Sequence, residues 1–179
     1  LLAEKCLDEA TIDQSLLRQI RTEHTDRKPL YINFTSGSTG LPKGVAVSHR
    51  AVMDFIRIYA DTFAITKEDI IGNQAPFDFD VSVKNIYTGL LTGAKVQIIP
   101  RKYFSDPTTL MDYMADSKMT VLTWAVSAMC FVSVMNGFGY RTPATVQKVL
   151  FSGEVLPIKH YRVWKKYLPQ AMFVNLYGP

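Results

Sequence analysis

Cysteine is scarce in this sequence: the 179 residues contain two, Cys6 and Cys130. They lie far apart, with no CxxC pair and no histidine near either one, which excludes a disulfide framework and points to a reducing, cytoplasmic setting. Long apolar runs are missing, and so is an amino-terminal segment that is cationic and then apolar. Neither a membrane-spanning helix nor a secretory signal is therefore expected. A charge field of one sign is missing too. The net charge is +4, but acidic and basic residues alternate along the chain. The one dense basic cluster, Arg162, Lys165 and Lys166, falls on the polar side of a predicted helix and reads as a solvated face rather than a nucleic-acid contact. No internal repeat or low-complexity tract is present. The sequence lacks an initial methionine and stops at Tyr177-Gly178-Pro179 just after a strand-like run, so a slice of a larger domain is expected.

The chain does have an alternating pattern. Residues 1–28 are polar and helix-compatible, with Leu2, Leu7, Leu16, Leu17 and Ile20 at loose helical spacing. Residues 30–34 form a short apolar run that ends in a Thr/Ser/Gly cluster, a strand and then a loop. Ser48 can cap a helix whose apolar face is Val52, Phe55, Ile56, Tyr59 and Phe63. From residue 68 onward strands and helices alternate. Strands are predicted near residues 70–71, 95–99, 119–124, 147–151 and 171–176. The helices between them cover residues 82–91, 106–117 and 126–135, with a last one opened by Pro157 whose buried face carries Ile158, Tyr161, Trp164 and Leu168. Asp106-Pro107 is a strong helix start, a capping carboxylate followed by proline at the first helical position. The expected fold class is α/β: a layered, largely parallel sheet flanked by helices. In such sheets ligands gather beyond the carboxyl ends of the strands, so the loops after Phe34, Ala75, Thr123, Phe151 and Leu176 are where chemistry is sought.

The first of these loops is Thr35-Ser36-Gly37-Ser38-Thr39-Gly40-Leu41-Pro42-Lys43-Gly44. Its glycines let the backbone bend toward an oxyanion, its hydroxyls can donate to phosphate oxygens, and Lys43 supplies a mobile positive charge. It is not a Walker A loop, because Pro42 precedes the lysine and Gly44 follows it. By composition alone, a flexible surface turn stays open as a reading. A strand–loop–helix context would favour an anion cradle.

The full string resembles the signature loop of the adenylate-forming superfamily, which comprises acyl- and aryl-CoA ligases, luciferases and the amino-acid adenylation domains of nonribosomal peptide synthetases. The resemblance assigns the β- and γ-phosphates of ATP to Thr35, Ser36, Gly37, Ser38, Thr39, Gly40 and Lys43. His49, which follows in the same stretch, reads as a helix-start residue. Within Pro76-Phe77-Asp78-Phe79-Asp80-Val81-Ser82, a carboxylate could pair with a substrate ammonium, or Asp78 and Asp80 could serve as helix caps. Phe79-Asp80-Val81-Ser82 resembles the FDxS element of amino-acid adenylation domains, which implies that Asp80 binds the substrate's α-amino group. Residues 73–77 and 151–157 are also similar to D-alanine:carrier-protein ligases, although Ser152 stands where those enzymes typically carry cysteine.

The terminal Asn175-Leu176-Tyr177-Gly178-Pro179 resembles the adenine-reading motif of the family. The resemblance implies an adenine site made of Gly153, Glu154, Asn175, Tyr177 and Gly178. It also implies a substrate pocket around Asp80 lined by Phe79, Val81, Lys84, Thr123, Leu150, Ser152 and Leu176. A buried lysine needs a partner, so Lys84 either meets an acidic substrate side chain or points to solvent from the first helical turn.

The implied activity is ATP-dependent formation of an aminoacyl-adenylate, followed by transfer to the phosphopantetheine thiol of a carrier protein. Such transfers are catalysed by positioning and charge neutralisation, so no Ser/His/Asp or Cys/His triad is expected, and no catalytic residue is assigned. Mg²⁺ is implied, with its family ligand beyond Pro179. The carboxyl-terminal lid would also lie there. The chain by itself is expected to be a partial amino-terminal core, residues 1–179, with little or no activity. A carboxylate-CoA or aryl-acid ligase, or a non-catalytic nucleotide-binding module, remain as other classes.

Overall fold

The strand–helix alternation after residue 68 is realised as a five-stranded parallel sheet in a computed structural model that describes residues 12–35 (Thr35 through its backbone) and 42–176. The chain divides into two units, residues 1–52 and 53–179, each described by itself.

In the first unit, helix α1 (Gln14–Glu23) is capped by Asp13, whose carboxylate accepts from the Ser15 and Leu16 amides. Strand β1 (Pro29–Thr35) then pairs antiparallel with β2 (Lys43–Ser48), with Thr35 directly opposite Lys43. The strand–loop–helix expectation for residues 35–44 is corrected here: the loop joins two strands of a hairpin. Val45 and Val47 alternate with Ala46 and Ser48, a period-two pattern with β-branched residues that favours a strand. The pairing brings the two ends of the loop face to face. Helix α2 (His49–Thr62), whose residues from 53 onward belong to the second unit, begins where expected, with the Ser48 hydroxyl accepting from the Ala51 amide at 3.2 Å. His49 is its first residue, and its ring lies edge-on to that of His24. The buried face of α2 is narrower than its apolar spacing suggests. Val52, Ile56, Tyr59 and Ala60 are buried, while Phe55 is exposed.

In the second unit the chain runs β3 (Ile70–Asn73), α3 (Val81–Thr92), β4 (Lys95–Ile98), a 3₁₀ turn (Arg101–Ser105), α4 (Pro107–Asp116), β5 (Val121–Ala125), α5 (Val126–Val134), α6 (Gly137–Tyr140), β6 (Lys148–Ser152), α7 (Ile158–Tyr167) and β7 (Met172–Asn175). The strand order is β4-β3-β5-β6-β7, all parallel. Both faces of the sheet are covered, as parallel sheets require. On one face Ile71, Val121 and Leu150 pack with Tyr59, Ile65 and Ala94. On the other, Leu122, Trp124 and Val149 pack with Leu110, Met114, Met129 and Trp164. Each buried indole finds an acceptor: Trp124 Nε1 donates to the Gly72 carbonyl and Trp164 Nε1 to that of Met129. The face expected for α7 needs one correction. Ile158, in its first turn, is exposed, and the helix buries His160, Trp164 and, just past its end, Leu168, four residues apart.

At Gly89, α3 packs closely against β4. A Cβ placed there would collide with Val96 Cγ2 and sit 3.2 Å from the Ala94 carbonyl oxygen. Val96 is β-branched and cannot swing away, so Gly89→Ala should lower stability by ~1–3 kcal/mol. Chemical denaturation checks this, and adding Val96→Ala should recover part of the loss.

Candidate active site

The strand order sets the position of the site. From β3 the chain crosses to β4 on one side, whereas from β5 it proceeds to β6 and β7 on the other. The crevice beyond the carboxyl ends of β3 and β5 is therefore a topological switch point, where open α/β sheets bind ligands. Asn73 and Thr123 are register partners there, and the Ala125 amide donates to Gln74 Oε1 at 3.4 Å across it.

From this crevice residues 74–80 turn into α3. The Phe79 amide donates to the Pro76 carbonyl at 3.1 Å and the Ser82 hydroxyl to the Phe79 carbonyl at 2.7 Å. Asp80 occupies the capping position of α3, but its backbone is already helical (φ −60°, ψ −25°) and its side chain makes no capping bond. The capping alternative for Asp80 is corrected by that geometry: an N-cap side chain needs an extended backbone to fold back onto the next amides. The carboxylate is exposed and remains available to a ligand.

Lys84 lies one helical turn further on and is half-buried. Burial pulls its ammonium below the usual lysine range, and the nearby Asp80 charge opposes the shift. Val81 is half-buried and Phe79 is exposed.

Thr123 is buried in β5, and its hydroxyl shares a 3.0 Å hydrogen bond with Tyr59 Oη. Burial pushes the Tyr59 phenol up to about 12, with the Thr123 bond pulling the other way. Leu150 is the register partner of Thr123 and belongs to the apolar cluster around Tyr59, against which Leu176 also packs. Ser152 follows on the same side of β6, buried and opposite Ala125. Thr123, Leu150 and Leu176 are thus gathered around Tyr59, and Asp80 and Lys84 share the opening turns of α3.

The residues expected to hold adenine fall partly within the described residues. Gly153 follows β6 with φ +96°, a conformation that suits glycine, and nothing stands within 4 Å of where its Cβ would be. Glu154 is exposed beside it. Asn175 is the register partner of Phe151, and the Leu176 amide donates to the Phe151 carbonyl at 2.7 Å. The open space at Gly153 suits a flat heteroaromatic ring. Ser36, Gly37, Ser38, Thr39, Gly40, Tyr177 and Gly178 lie outside the described residues. Of the loop ends, Thr35 and Lys43 are brought opposite each other by β1 and β2.

A cleft of about 750 Å³ opens beside the turn, walled by residues 73–79, by Ile98, Arg101 and Phe104, and by Ser127 and Phe131 of α5. Phe79 is the one expected substrate residue that lines it; Thr123, Leu150, Ser152 and Leu176 do not. Tyr59, Asn73 and Asn85 were missed by sequence reasoning. Tyr59 sits in an apolar helical stripe and reads as core, Asn73 opens a stretch with a family resemblance that gives it no role of its own, and Asn85 carries no motif.

The family model for AMP-binding enzymes matches residues 2–179. An L-proline--[L-prolyl-carrier protein] ligase of Streptomyces coelicolor is 34% identical, over 82% of this chain and 28% of its own length. A D-alanine--D-alanyl carrier protein ligase of Bacillus cytotoxicus is 31% identical, over 94% of this chain and 36% of its own. The chain thus spans about a third of the length of these curated relatives. The solved structure of the nonribosomal peptide synthetase FmoA3 in its AMPPNP-bound form superposes with a TM-score of 0.75 at 25% identity, covering 86% of this chain and 17% of that one.

Proposed function

This chain belongs to the AMP-binding enzyme family, and from that premise we propose that it forms the nucleotide- and amino-acid-binding part of an enzyme that activates an amino acid with ATP. The observation that carries the reading is the carboxylate of Asp80. It is exposed beside the switch point of the sheet and is not spent on capping the helix it precedes. A carboxylate that makes no capping bond at a helix start is a suitable partner for a primary ammonium.

In this reading the substrate carboxylate attacks the α-phosphorus of ATP. A new acyl–O–P bond forms, the bond to the β-phosphate oxygen breaks, and pyrophosphate leaves. A carrier-protein phosphopantetheine thiol then takes the acyl group and releases AMP. The named relatives, both ligases of an amino acid to a carrier protein, support that partner. Thr35, Ser36, Gly37, Ser38, Thr39, Gly40 and Lys43 would hold the phosphates. Gly153, Glu154, Asn175, Tyr177 and Gly178 would hold adenine, for which the open Gly153 is suited. Mg²⁺ would accompany the nucleotide; among the described residues no group of His, Cys, Asp or Glu side chains is arranged to hold it. Around Asp80, the residues Phe79, Val81, Thr123, Leu150, Ser152 and Leu176 would shape the substrate pocket. Lys84 would meet the substrate side chain, and its half-buried ammonium favours an acidic one.

ATP–pyrophosphate exchange by the protein that carries this chain, assayed across a panel of amino acids, tests the proposal. Exchange is expected to depend on an amino acid and to be strongest with aspartate or glutamate. Equal rates with neutral amino acids would remove the role of Lys84. Exchange driven by carboxylic acids that lack an amino group would replace the reading with a CoA or aryl-acid ligase. ATP binding that no amino acid enhances would leave a nucleotide-binding module.

A further inference from the structure

The turn that carries Asp80 is held from below by two buried amides that the proposed chemistry leaves unused. Asn73 ends β3 fully buried, and its Nδ2 donates to the Ala75 carbonyl at 2.9 Å. Its Oδ1 accepts from Asn85 Nδ2 at 2.8 Å. Asn85 is buried on α3, in the stripe that also carries Ser82, Thr88 and Gly89. The two asparagines therefore link the end of the strand, the first bend of the turn and the second turn of the helix. Other ties hold the turn elsewhere: the Ala125 amide donates to Gln74 Oε1, the Phe79 amide to the Pro76 carbonyl, and Ser82 Oγ to the Phe77 and Phe79 carbonyls at the helix start.

Asparagine is a costly choice at the Asn85 position. Its Oδ1 is buried and finds no hydrogen-bond partner among the described residues, and the same holds for Thr88 Oγ1 one turn on. Burying an unpaired amide oxygen is unfavourable, and a leucine of similar size would avoid the penalty. What Asn85 does and leucine cannot do is hold Asn73 in the orientation that grips Ala75. Asp80, whose own side chain makes no capping bond, takes its direction from the backbone that this relay fixes.

We infer that Asn85 is a positioning residue, which through Asn73 sets the turn that presents Asp80 to the amino group of the substrate. The inference rests on the reading of Asp80 as the ammonium site. Asn85 acts at second hand, so its loss should weaken recognition of the amino acid without affecting the nucleotide.

The test compares Asn85→Leu with Thr88→Val in the protein that carries this chain, using exchange kinetics, melting temperature and amide hydrogen exchange. Asn85→Leu should raise KM for the amino acid about ten-fold, the scale expected when a recognition group is displaced, with KM for ATP unchanged. It should also speed hydrogen exchange at the Phe79 and Ser82 amides, which close the turn. Thr88→Val removes a neighbouring buried hydroxyl of equal standing and should move none of these. An unchanged amino-acid KM in Asn85→Leu would overturn the inference, as would a parallel loss of kcat and melting temperature with both KM values intact. If Asn85→Leu does not fold, Asn85→Ser, too short to reach Asn73, takes its place. If the unaltered protein shows no amino-acid-dependent exchange, the proposed function fails. The hydrogen-exchange comparison then decides the positioning role alone: unchanged protection at Phe79 and Ser82 overturns it.

Discussion

Asp80→Ala is expected to raise the amino-acid KM of exchange by roughly a hundred-fold or more while leaving KM for ATP and the fold unchanged. The size follows from removing one partner of a charge-assisted contact that the bound substrate would bury, which costs about 2–5 kcal/mol. The fold should survive because the Asp80 side chain is exposed and makes no bond to the helix start. Exposed positions of that kind change stability by about 0.5 kcal/mol or less. Asp80→Asn separates charge from shape: it keeps the size and one acceptor but should recover little of the lost affinity, since an amide carries no net charge to attract an ammonium. There is a linked effect on Lys84. The Asp80 charge holds its ammonium up against burial, so removing that charge should shift lysine titration further down. A variant with unchanged amino-acid KM and a lowered melting temperature would make Asp80 a structural residue and remove the observation on which the proposed function stands.

The fold was legible wherever a local rule and the tertiary structure agreed. Asp106-Pro107 reads as a helix start, and the structure shows the Asp106 carboxylate accepting from the Thr108 amide with proline at the first helical position. Thr92-Gly93 reads as a helix end, and Gly93 takes φ +76° there. The parallel sheet followed from the alternation of elements. The hairpin partner β2 was not legible, because its strand character depends on pairing with β1, and a glycine-rich approach through Gly44 masks the short period-two run. α6 was missed because four residues, two of them glycine, have no helical propensity to show. At the site, Asp80 and its neighbours could be named from a motif, but what holds them could not. Tyr59 looks like core by its spacing and is core, yet its hydroxyl reaches Thr123 across the layer. Asn73 and Asn85 are twelve residues apart and meet only because α3 folds back onto β3. Side-chain contacts between elements leave no trace in local pattern.

At the opposite, amino-terminal end of the same strands, Lys148→Met is expected to cost about 3–5 kcal/mol of stability, the usual result of leaving one member of a buried ion pair alone. Lys148 Nζ lies 2.9 Å from Asp69 Oδ2 and 3.0 Å from the Ala64 carbonyl, with both side chains largely buried. Asp69 also accepts from the Thr66 amide and from the Thr120 hydroxyl, and Thr120 Oγ1 accepts in turn from the Ile70 amide. The network therefore ties the loop before β3 to the starts of β5 and β6. Burial alone would raise the Asp69 carboxyl, but the hydrogen bonds from Thr66, Thr120 and Lys148 and the lysine charge outweigh it and hold the group below its usual value. A carboxyl depressed in the folded state contributes stability that is present above its unfolded pKa of about 3.9 and is lost as pH falls through the folded value. Removing Lys148 takes away part of that depression, so Asp69 should protonate at higher pH in the variant than in the unaltered protein. The stability gap between the two should therefore be widest near neutrality and narrow toward about pH 4, as the variant sheds its unpaired charge first. Urea denaturation at several pH values reads this directly. A gap that stays constant with pH would assign the loss to the packing of the lysine stem instead. The double variant Asp69→Asn with Lys148→Met removes the orphaned charge, keeps an acceptor for the Thr66 amide and can donate from its Nδ2 to the Thr120 hydroxyl, so it should be more stable than Lys148→Met alone at neutral pH. None of these changes touches the turn that presents Asp80, and the amino-acid KM should stay where it is.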